Sequence, residues 1–486
     1  MSSREGTATD GNAAAEATAP PPTDFERRAE HGRVARRRTP RSSHAGWAPP
    51  PDRPDPVALL EEQEATREPD LVPIRHRRMM VSPFTFYRGA ALLMATDLAR
   101  TPVSGIVTQV CGDAHLSNFG VFGTPERAMV FDINDFDETL PGPWEWDVKR
   151  LVASVEVAGR HRGFDAGQRR DLDLAVVRAY RERLLRLAGS GVLEGWYDRL
   201  DADRVVAWIE AEHRAKRVGR KQVERMEADL AKARTKDSTR AAAKLVEVVD
   251  GEPRIAASPP LVVPVEDLVP LARDRERAED WMRGLIASYL STLQPERHPM
   301  AEFSYVHMAR KVVGVGSVGT RAWVVLLRGR DEADTLVLQA KQAERSVLER
   351  FLPPSRYDNH GERVVRGQRL MQAAGDVFLG WQRVAGVDGV VRDYYLRQLY
   401  DWKGGVDVEV MDAAGARAYA QLCGEALARA HARTGDRVAL AAYLGRSDVF
   451  DRAVADFAAD YADQNDRDYA AFLDAVASGR LAAAES

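Results

Sequence analysis

The spacing of apolar and polar positions predicts helices and strands in separate stretches of the chain. Residues 83–100 and 146–159 carry apolar side chains at the spacing of helices. Between them, FGVF and AMVFD flank the turn-forming string GTPER, which predicts two short strands joined by a tight turn. Residues 413–433 and 448–477 return to helical spacing, so the chain is predicted to end in helices.

A different pattern begins after residue 300. The segments VHMARKVVGVGSVGTRAWVVLLRG and DTLVLQAKQAE carry branched apolar residues in alternating or continuous runs, which is typical of strands. Residues 360–375 are predicted to be helical, and DYYLRQLYDW predicts another buried strand. A β-rich unit is therefore expected between two helical regions.

These patterns divide the chain into four segments. Residues 1–55 are rich in Ala, Pro and Arg and are predicted to be disordered, because they cannot bury enough surface to offset the entropy of ordering. Residues 56–300, mostly helical by pattern from residue 165 onward, are expected to form a helical lobe. Residues 301–410 are expected to form a β-rich lobe, and residues 411–486 to form helices that pack on the helical lobe.

Composition narrows the functional classes only slightly. A formal net charge of −4 argues against nucleic-acid binding through bulk electrostatics. The absence of an apolar run of about eighteen residues argues against a membrane span, and two cysteines are too few for a disulfide framework. A cytoplasmic protein without a membrane partner is expected.

The first candidate for chemistry is the string Asp113-Ala-His-Leu-Ser-Asn118, with Asp132 and Asp135 downstream. An acid that accepts a hydroxyl proton, followed by an amide and a carboxylate that hold Mg²⁺, is what phosphoryl transfer needs. We therefore predict Asp113 as the catalytic base and Asn118 and Asp132 as metal ligands, with Asp135 as an alternative or additional ligand. Because Asp and Asn also stabilise turns, a purely structural role stays open at this point.

A second candidate is the glycine-rich string formed by Gly314, Gly316 and Gly319. In a dinucleotide-binding domain such glycines open a helix, but here TRAWVVLL follows and predicts a strand. Strand, glycine loop and strand is the pattern of a hairpin that lies over nucleotide phosphates. The alternative interpretation is an ordinary β-turn in which the glycines only provide backbone freedom.

A third candidate is Lys341, which lies 27 residues after Gly314 within an apolar strand. A buried lysine needs a partner for its ammonium group, and nucleotide phosphates together with an acidic helix residue would provide one. Glu362 is the predicted acid, with Glu344 and Glu349 as alternatives. An edge-strand lysine that points to water remains the competing interpretation.

Together these motifs resemble the protein-kinase-like superfamily, especially its aminoglycoside phosphotransferase branch. GDAHLSN resembles the catalytic loop, MVFD the metal-binding aspartate, GVGSVG the glycine loop and LQAK the strand lysine. The helix at 421–432 resembles the one that leads into the catalytic loop, and Asp147 resembles the aspartate that steadies the backbone of this loop. The resemblance implies an α+β, two-lobed kinase-like fold, with a small β-rich nucleotide-binding lobe and a larger helical lobe.

The order of the motifs departs from that superfamily, in which the glycine loop and lysine come first. Here the catalytic loop precedes them by nearly 200 residues, which a circular permutation would explain. Residues from about 77 to 463 also closely resemble the bacterial domain-of-unknown-function family 2252, through strings such as RMMVSPFTFYRGAA, CGDAHLSNFG and FDINDFDETLPGPWEWDVKRL. That family is uncharacterised, so this second resemblance implies little about function.

The leading hypothesis is an ATP- and Mg²⁺-dependent phosphotransferase whose acceptor, a small molecule or a protein, the sequence does not identify. One alternative is a nucleotide-binding regulatory protein without turnover, which would not need Asp113. Another is a metal-dependent hydrolase built on Asp113, His115, Asp132 and Asp135. The hydrolase hypothesis gives no role to the glycine loop or to Lys341.

Overall fold

The fold is known from a computed structural model, which combines helices with several antiparallel sheets. The structure describes residues 23–484 apart from 217, 236–244, 250, 269–274, 294–297, 313, 386–389, 400–401, 403 and 405–407. Among the described residues, no helix is both long enough and apolar enough to span a bilayer. The predicted α+β class is confirmed.

Along the chain, helices come before, between and after the strands. The helices are α1 (Asp24–Arg38), α2 (Pro56–Glu64), α3 (Val72–Met79), α4 (Pro83–Gly89), α5 (Ala91–Leu98), α6 (Trp144–His161), α7 (Ala166–Gly189), α8 (Val192–Tyr197), α9 (Ala202–Arg214), α10 (Arg220–Arg234), α11 (Val265–Leu268), α12 (Arg275–Leu290), α13 (His360–Met371), α14 (Ala413–Thr434), α15 (Arg437–Leu444) and α16 (Val449–Ala477). The strands are β1 (Val107–Val110), β2 (Phe119–Gly123), β3 (Met129–Ile133), β4 (Leu140–Pro143), β5 (Val246–Val249), β6 (Glu252–Ile255), β7 (Val262–Pro264), β8 (Ser304–Lys311), β9 (Ala322–Arg328), β10 (Thr335–Ala343), β11 (Gly380–Ala385) and β12 (Val391–Gln398).

The largest sheet is antiparallel, with the strand order β11-β12-β10-β9-β8-β7. Lys341 on β10 lies opposite Ala322 of β9 and Tyr395 of β12, so it occupies the middle of the sheet. Strand β7 comes from residues 262–264, so the sheet extends beyond the expected lobe boundary at residue 300. The predicted strands on both sides of the glycine loop are confirmed.

Two smaller sheets position the polar loops beside the large sheet. Strands β2 and β3 form the predicted hairpin, with Phe119 opposite Ile133. Strands β1 and β4 pair antiparallel, with Val110 opposite Leu140. These pairings bring the ends of the 111–118 loop and of the 134–139 loop to the same place.

The helical core forms around α6, which is buried along nearly its whole length. Trp144 at its start stacks on Tyr180 of α7, with ring centroids 5.8 Å apart, and also contacts Phe450 of α16. Aromatic packing of this kind buries large apolar area. The core therefore fixes the start of α6, which lies close to the polar loops.

The helix predicted over residues 83–100 is divided in two at Ala90. Ser82 and Thr85 form a capping box at the start of α4, and Pro83 takes the first turn, where its missing N–H costs nothing. The carbonyl of Gly89 accepts a hydrogen bond of 2.6 Å from buried Arg75. An apolar pattern carries no signal for this side-chain contact.

Residues 23–55 correct the prediction of a disordered tail. Thr23 and Glu26 form a capping box for α1, and Arg28 makes an ion pair of 2.9 Å with Asp436. The backbone of Ala439 lies so close to Gly32 that a Cβ there would be 2.1 Å from its carbonyl oxygen. This segment folds because it docks on α15, and the rest of the predicted tail, residues 1–22, lies outside the described residues.

The mostly helical pattern predicted after residue 165 holds only in part. Helices α7 to α10 fulfil it, but β5 and β6 form a hairpin, with Val246 opposite Ile255, and β7 follows. Three of the four residues in β5 are valine, which favours an extended chain. This local β preference overrides the helical expectation around residue 250.

Candidate functional site

A cleft of about 380 Å³ lies between the large sheet and the polar loops of the helical part. It contains six of the nine predicted site residues, namely Asp113, Asn118, Asp135, Gly314, Gly316 and Lys341. The other three predicted residues, Asp132, Gly319 and Glu362, do not line it. Residues nearly 200 positions apart in the chain therefore meet in one cavity.

The loop that carries Asp113 is held by the first turn of α6. The carboxylate of Asp147 accepts hydrogen bonds from the backbone N–H of Cys111 at 2.8 Å and of Gly112 at 2.9 Å. Gly112 has φ of +81°, and a Cβ there would lie 2.5 Å from the carbonyl oxygen of Glu138. The role predicted for Asp147, steadying this backbone, is confirmed.

Asp113 is oriented by a neighbouring arginine. Arg150 Nε donates to Asp113 Oδ1 at 2.5 Å, while Oδ2 lies 3.7 Å from Nε2 of His115, beyond hydrogen-bond distance. Burial raises the pKa of Asp113, and although the Arg150 charge opposes this effect, the pKa stays above its ordinary value. Asp113 thus has one oxygen fixed and the other available, with increased basicity.

His115 lies on the same loop, and among the described residues its Nδ1 has no hydrogen-bond partner. Its side chain is buried, and burial holds its pKa well below the ordinary value, with the charges of Arg88 and Arg150 adding to the effect. A neutral imidazole does not compete electrostatically with Arg150 for the Asp113 carboxylate.

Asn118 and Asp135 are the cleft residues that fit a metal ion. Nδ2 of Asn118 donates to the carbonyl of Asp113 at 2.8 Å, which leaves its amide oxygen as a potential ligand. Asp135 accepts a hydrogen bond of 3.2 Å from the N–H of Asp137. In the part of the chain that the structure describes, no three His, Cys, Asp or Glu side chains form a metal cage. Two oxygen ligands suit Mg²⁺, which commonly keeps water and substrate phosphates as its other ligands.

The prediction that Asp132 binds the metal ion is corrected by the contacts of its side chain. Both of its carboxylate oxygens lie 2.6 Å from Arg429 Nη2, and both side chains are almost fully buried. One oxygen also accepts a hydrogen bond of 3.1 Å from the N–H of Ala373. Asp132 is therefore part of a structural ion pair, and Asp135 is the aspartate that reaches the cleft.

The acid that pairs with Lys341 is Asp137, not the predicted Glu362. Lys341 Nζ donates to Asp137 Oδ2, and the hydroxyl of Tyr395 donates to Oδ1 at 2.7 Å. Glu362 instead forms an ion pair of 3.2 Å with Arg366. Burial lowers the pKa of Lys341, but the carboxylates of Asp135 and Asp137 outweigh it and raise the pKa above the ordinary value.

The alternative acids, Glu344 and Glu349, have other partners. Glu344 accepts a hydrogen bond of 2.9 Å from Thr66, and Glu349 accepts one of 3.1 Å from Arg345. Asp137 was the acid that sequence reasoning missed, although it belongs to the dense carboxylate string at 132–138. The close spacing of carboxylates at 132–138 indicated that one of them could pair with a cation, but it did not show which carboxylate faces the sheet.

The glycine loop follows β8 and contributes two of its glycines to the cleft. A Cβ on Gly316 would lie 3.0 Å from the carbonyl oxygen of Arg88, so a larger residue would displace the loop. Gly319 has φ of +92° and packs against the Arg67 side chain, outside the cleft lining. The N–H of Glu68 donates to the Gly319 carbonyl at 2.8 Å and anchors the end of the loop.

Arg88 is a positive charge between the glycine loop and Asp113. Its side chain lines the cleft, and its Nε atom is buried without a hydrogen-bond partner among the described residues. Burial lowers the pKa of Arg88, and the Asp113 carboxylate opposes that effect. An arginine at this position whose Nε lacks a partner is suited to an anionic group.

Residues 67–475 match the family described as "Uncharacterized protein conserved in bacteria (DUF2252)". The chain belongs to this family. The region shared with the DUF2252 family begins before the loop that carries Asp113 and extends beyond α14, so it includes Lys341 and every predicted site residue. Helices α1 and α2 precede the region shared with DUF2252. Comparison with curated proteins and with solved structures gives no match.

Proposed function

We propose that the protein is an ATP- and Mg²⁺-dependent phosphotransferase with a circularly permuted, kinase-like arrangement of two lobes. The observation that carries the proposal is the pairing of Lys341, on the central strand of the large sheet, with Asp137, two residues after the metal candidate Asp135. This pairing links a lysine suited to nucleotide phosphates with the carboxylates suited to their metal ion. Positioning and charge neutralisation of this kind are the main requirements of phosphoryl transfer.

Each of the six predicted residues in the cleft has a place in that reaction. Asn118 and Asp135 would hold Mg²⁺, which would neutralise charge on the nucleotide phosphates. The backbone at Gly314 and Gly316 would cover these phosphates, and Lys341 would contact them. Oδ2 of Asp113 would accept the proton of the acceptor hydroxyl, while Arg150 holds the carboxylate in place.

The packing of α14 supports the permuted order of the lobes. The hydroxyl of Tyr419, on this helix, donates to the carbonyls of Leu116 at 2.9 Å and Phe119 at 3.0 Å, on both sides of Asn118. In the chain, the loop that carries Asp113 comes before the large sheet, whereas α14, the helix that braces this loop, comes after the sheet. A permutation of a kinase-like chain is expected to have this relationship.

The two alternative functions fit the cleft less well. A hydrolase built on Asp113, His115, Asp132 and Asp135 would need Asp132 as a metal ligand. Both carboxylate oxygens of Asp132 are instead held by Arg429. A hydrolase also gives no role to Lys341. A regulatory protein without turnover has no use for the free oxygen of Asp113 beside the metal candidates.

Calorimetry with ATP tests the proposal. We expect the wild-type chain to bind ATP more tightly with Mg²⁺ than without it, and Lys341→Met to weaken Mg–ATP binding by at least about tenfold, because a charge-assisted contact with phosphate is lost. Lys232→Met, at an exposed position of α10, is the control and is expected to bind as wild type does. Absence of binding at millimolar ATP, or unchanged binding by a folded Lys341→Met, contradicts the proposal.

The position of Arg88 predicts that this side chain contributes differently to the binding of ATP and of ADP. If its guanidinium faces the γ-phosphate, Arg88→Gln weakens binding of a non-hydrolysable ATP analogue by about tenfold and leaves ADP binding unchanged, because ADP lacks that phosphate. Arg345→Gln is the matched control, since Arg345 also lines the cleft but is paired with Glu349. Equal losses for both nucleotides would place Arg88 at the other phosphates instead.

A further inference from the structure

The glycine loop, residues 314–320, is held at both ends by α3 and the chain directly before this helix. At the start of the loop, Arg78 Nη1 donates to the carbonyl of Gly314 at 2.5 Å. Near its end, Arg67 Nη1 donates to the carbonyl of Val318. The backbone hydrogen bond that anchors the end of the loop comes from the same part of the chain. The loop is therefore docked on the helical part of the protein.

The strand ends beside the loop are anchored on the same part of the chain by ion pairs. Arg310, near the end of β8, pairs with Asp70 at 2.7 Å and with Glu68 at 3.5 Å. Arg321, directly before β9, also pairs with Glu68. The docking therefore includes both strand ends as well as the loop itself.

An apolar side chain of the loop is buried among the helices. Val315 is 8% exposed and belongs to an apolar cluster with Leu59 of α2, Phe86 of α4 and Phe472 of α16. Removing apolar surface from water favours the docked state. A loop that moved freely over a nucleotide would have to expose this side chain each time it opened.

The docking contacts use carbonyl groups of the loop and leave N–H groups for a ligand. Among the described residues, the backbone N–H groups of Gly316 and Ser317 have no hydrogen-bond partner. Both residues line the nucleotide cleft. Successive backbone N–H groups in a turn form a site for anions. The docked loop therefore keeps donors for the phosphates of the proposed nucleotide.

We propose that Arg78 is a positioning residue, which holds the glycine loop in its phosphate-binding conformation before a nucleotide enters. Arg78 acts through the carbonyl of Gly314 and does not itself line the cleft. Because the loop is ordered in advance, nucleotide binding does not have to supply the cost of ordering it. The inference rests on the proposed function, since it needs a nucleotide in the cleft, but the docking is measurable without one.

Hydrogen exchange of the full chain without nucleotide tests the docking. The N–H groups of Val318 and Thr320 donate within the loop at 3.2 Å, so their exchange reports how often the loop opens. Arg78→Gln is expected to speed this exchange by at least about tenfold, because a hydrogen bond from a charged group is lost. Arg77→Gln, at the neighbouring exposed position of α3, is the matched control and is expected to exchange as wild type does. Unchanged exchange in a folded Arg78→Gln overturns the inference.

Calorimetry with Mg–ATP connects the docking to the nucleotide. Arg78→Gln is expected to weaken Mg–ATP binding by about tenfold, because only the fraction of molecules with an ordered loop binds well. Arg78→Lys keeps a charged donor and is expected to bind within about threefold of wild type. At saturating Mg–ATP, ADP formation by Arg78→Gln is expected to match wild type, since the reacting groups are unchanged. Faster exchange with unchanged Mg–ATP affinity overturns the inference, because the docked loop would then not be the state that binds nucleotide.

A second variant removes the apolar anchor and leaves every charge in place. Val315→Ala is expected to speed loop exchange and to weaken Mg–ATP binding, as Arg78→Gln does. Thermal unfolding shows whether each variant is folded. A wild-type chain that does not bind Mg–ATP overturns the proposed function and this inference together. A wild-type chain that binds Mg–ATP, with both variants binding equally well, overturns this inference alone.

Discussion

Replacing Asp113 by Asn is expected to reduce γ-phosphate transfer by about 100-fold or more while leaving Mg–ATP binding unchanged. A positioned general base contributes factors of about 10² to 10⁴ to a rate, and Asn cannot accept the hydroxyl proton. The substitution keeps the shape of the side chain, and its Oδ1 still accepts from Arg150. Binding is preserved because the proposed nucleotide contacts come from other residues, Lys341 and Asp135 among them.

ADP formation by the full chain, with water or the protein itself as the acceptor, measures this loss without knowledge of the physiological acceptor. Glu332→Gln is the matched control, because it removes an exposed carboxylate in the turn between β9 and β10. It is expected to turn over as wild type does. If Asp113→Asn keeps wild-type turnover, the base is another group and the assignment of Asp113 is wrong.

Local patterns predicted the elements that carry the site. The alternation of branched residues around the glycine string predicted β8 and β9, and both strands form. An apolar run interrupted by one lysine predicted a strand and left open whether the lysine is buried with a partner or exposed at an edge; Lys341 is 2% exposed on β10. Such features are encoded within a few residues, so a single sequence is sufficient to read them.

The partners of the buried charges could not be predicted in the same way. Asp132 and Arg429 are 297 residues apart, and Lys341 and Asp137 are 204 residues apart. Among the closely spaced carboxylates at 132–138, the strand β3 turns Asp132 toward α14, and the loop after it turns Asp137 toward the sheet. Which carboxylate meets which cation depends on how distant elements pack, and periodicity carries no signal for that.

Two single variants, Asp132→Asn and Asp135→Asn, distinguish a structural role of the carboxylate from a role in metal binding. Asp132→Asn is expected to lower the free energy of unfolding by about 3–5 kcal/mol, because it leaves Arg429 buried without a counter-charge. Below its lowered melting temperature this variant is expected to bind Mg–ATP as wild type does. Asp135→Asn is expected to keep its stability within about 1 kcal/mol, since Asp135 is partly exposed in the cleft, but to lose the Mg²⁺-dependent part of ATP binding.

Denaturant unfolding and calorimetry on the same two variants therefore form a crossed test. Each variant is the control for the other, because both lose one carboxylate within four residues of chain. If Asp132→Asn is as stable as wild type and loses Mg²⁺ dependence, then the Arg429 pair is not structural and Asp132 is the ligand, as the string MVFD first indicated. Since a buried carboxylate held by arginine has no free oxygen for a metal, we expect the opposite result, with the metal bound by the aspartate that shares the cleft with Asn118.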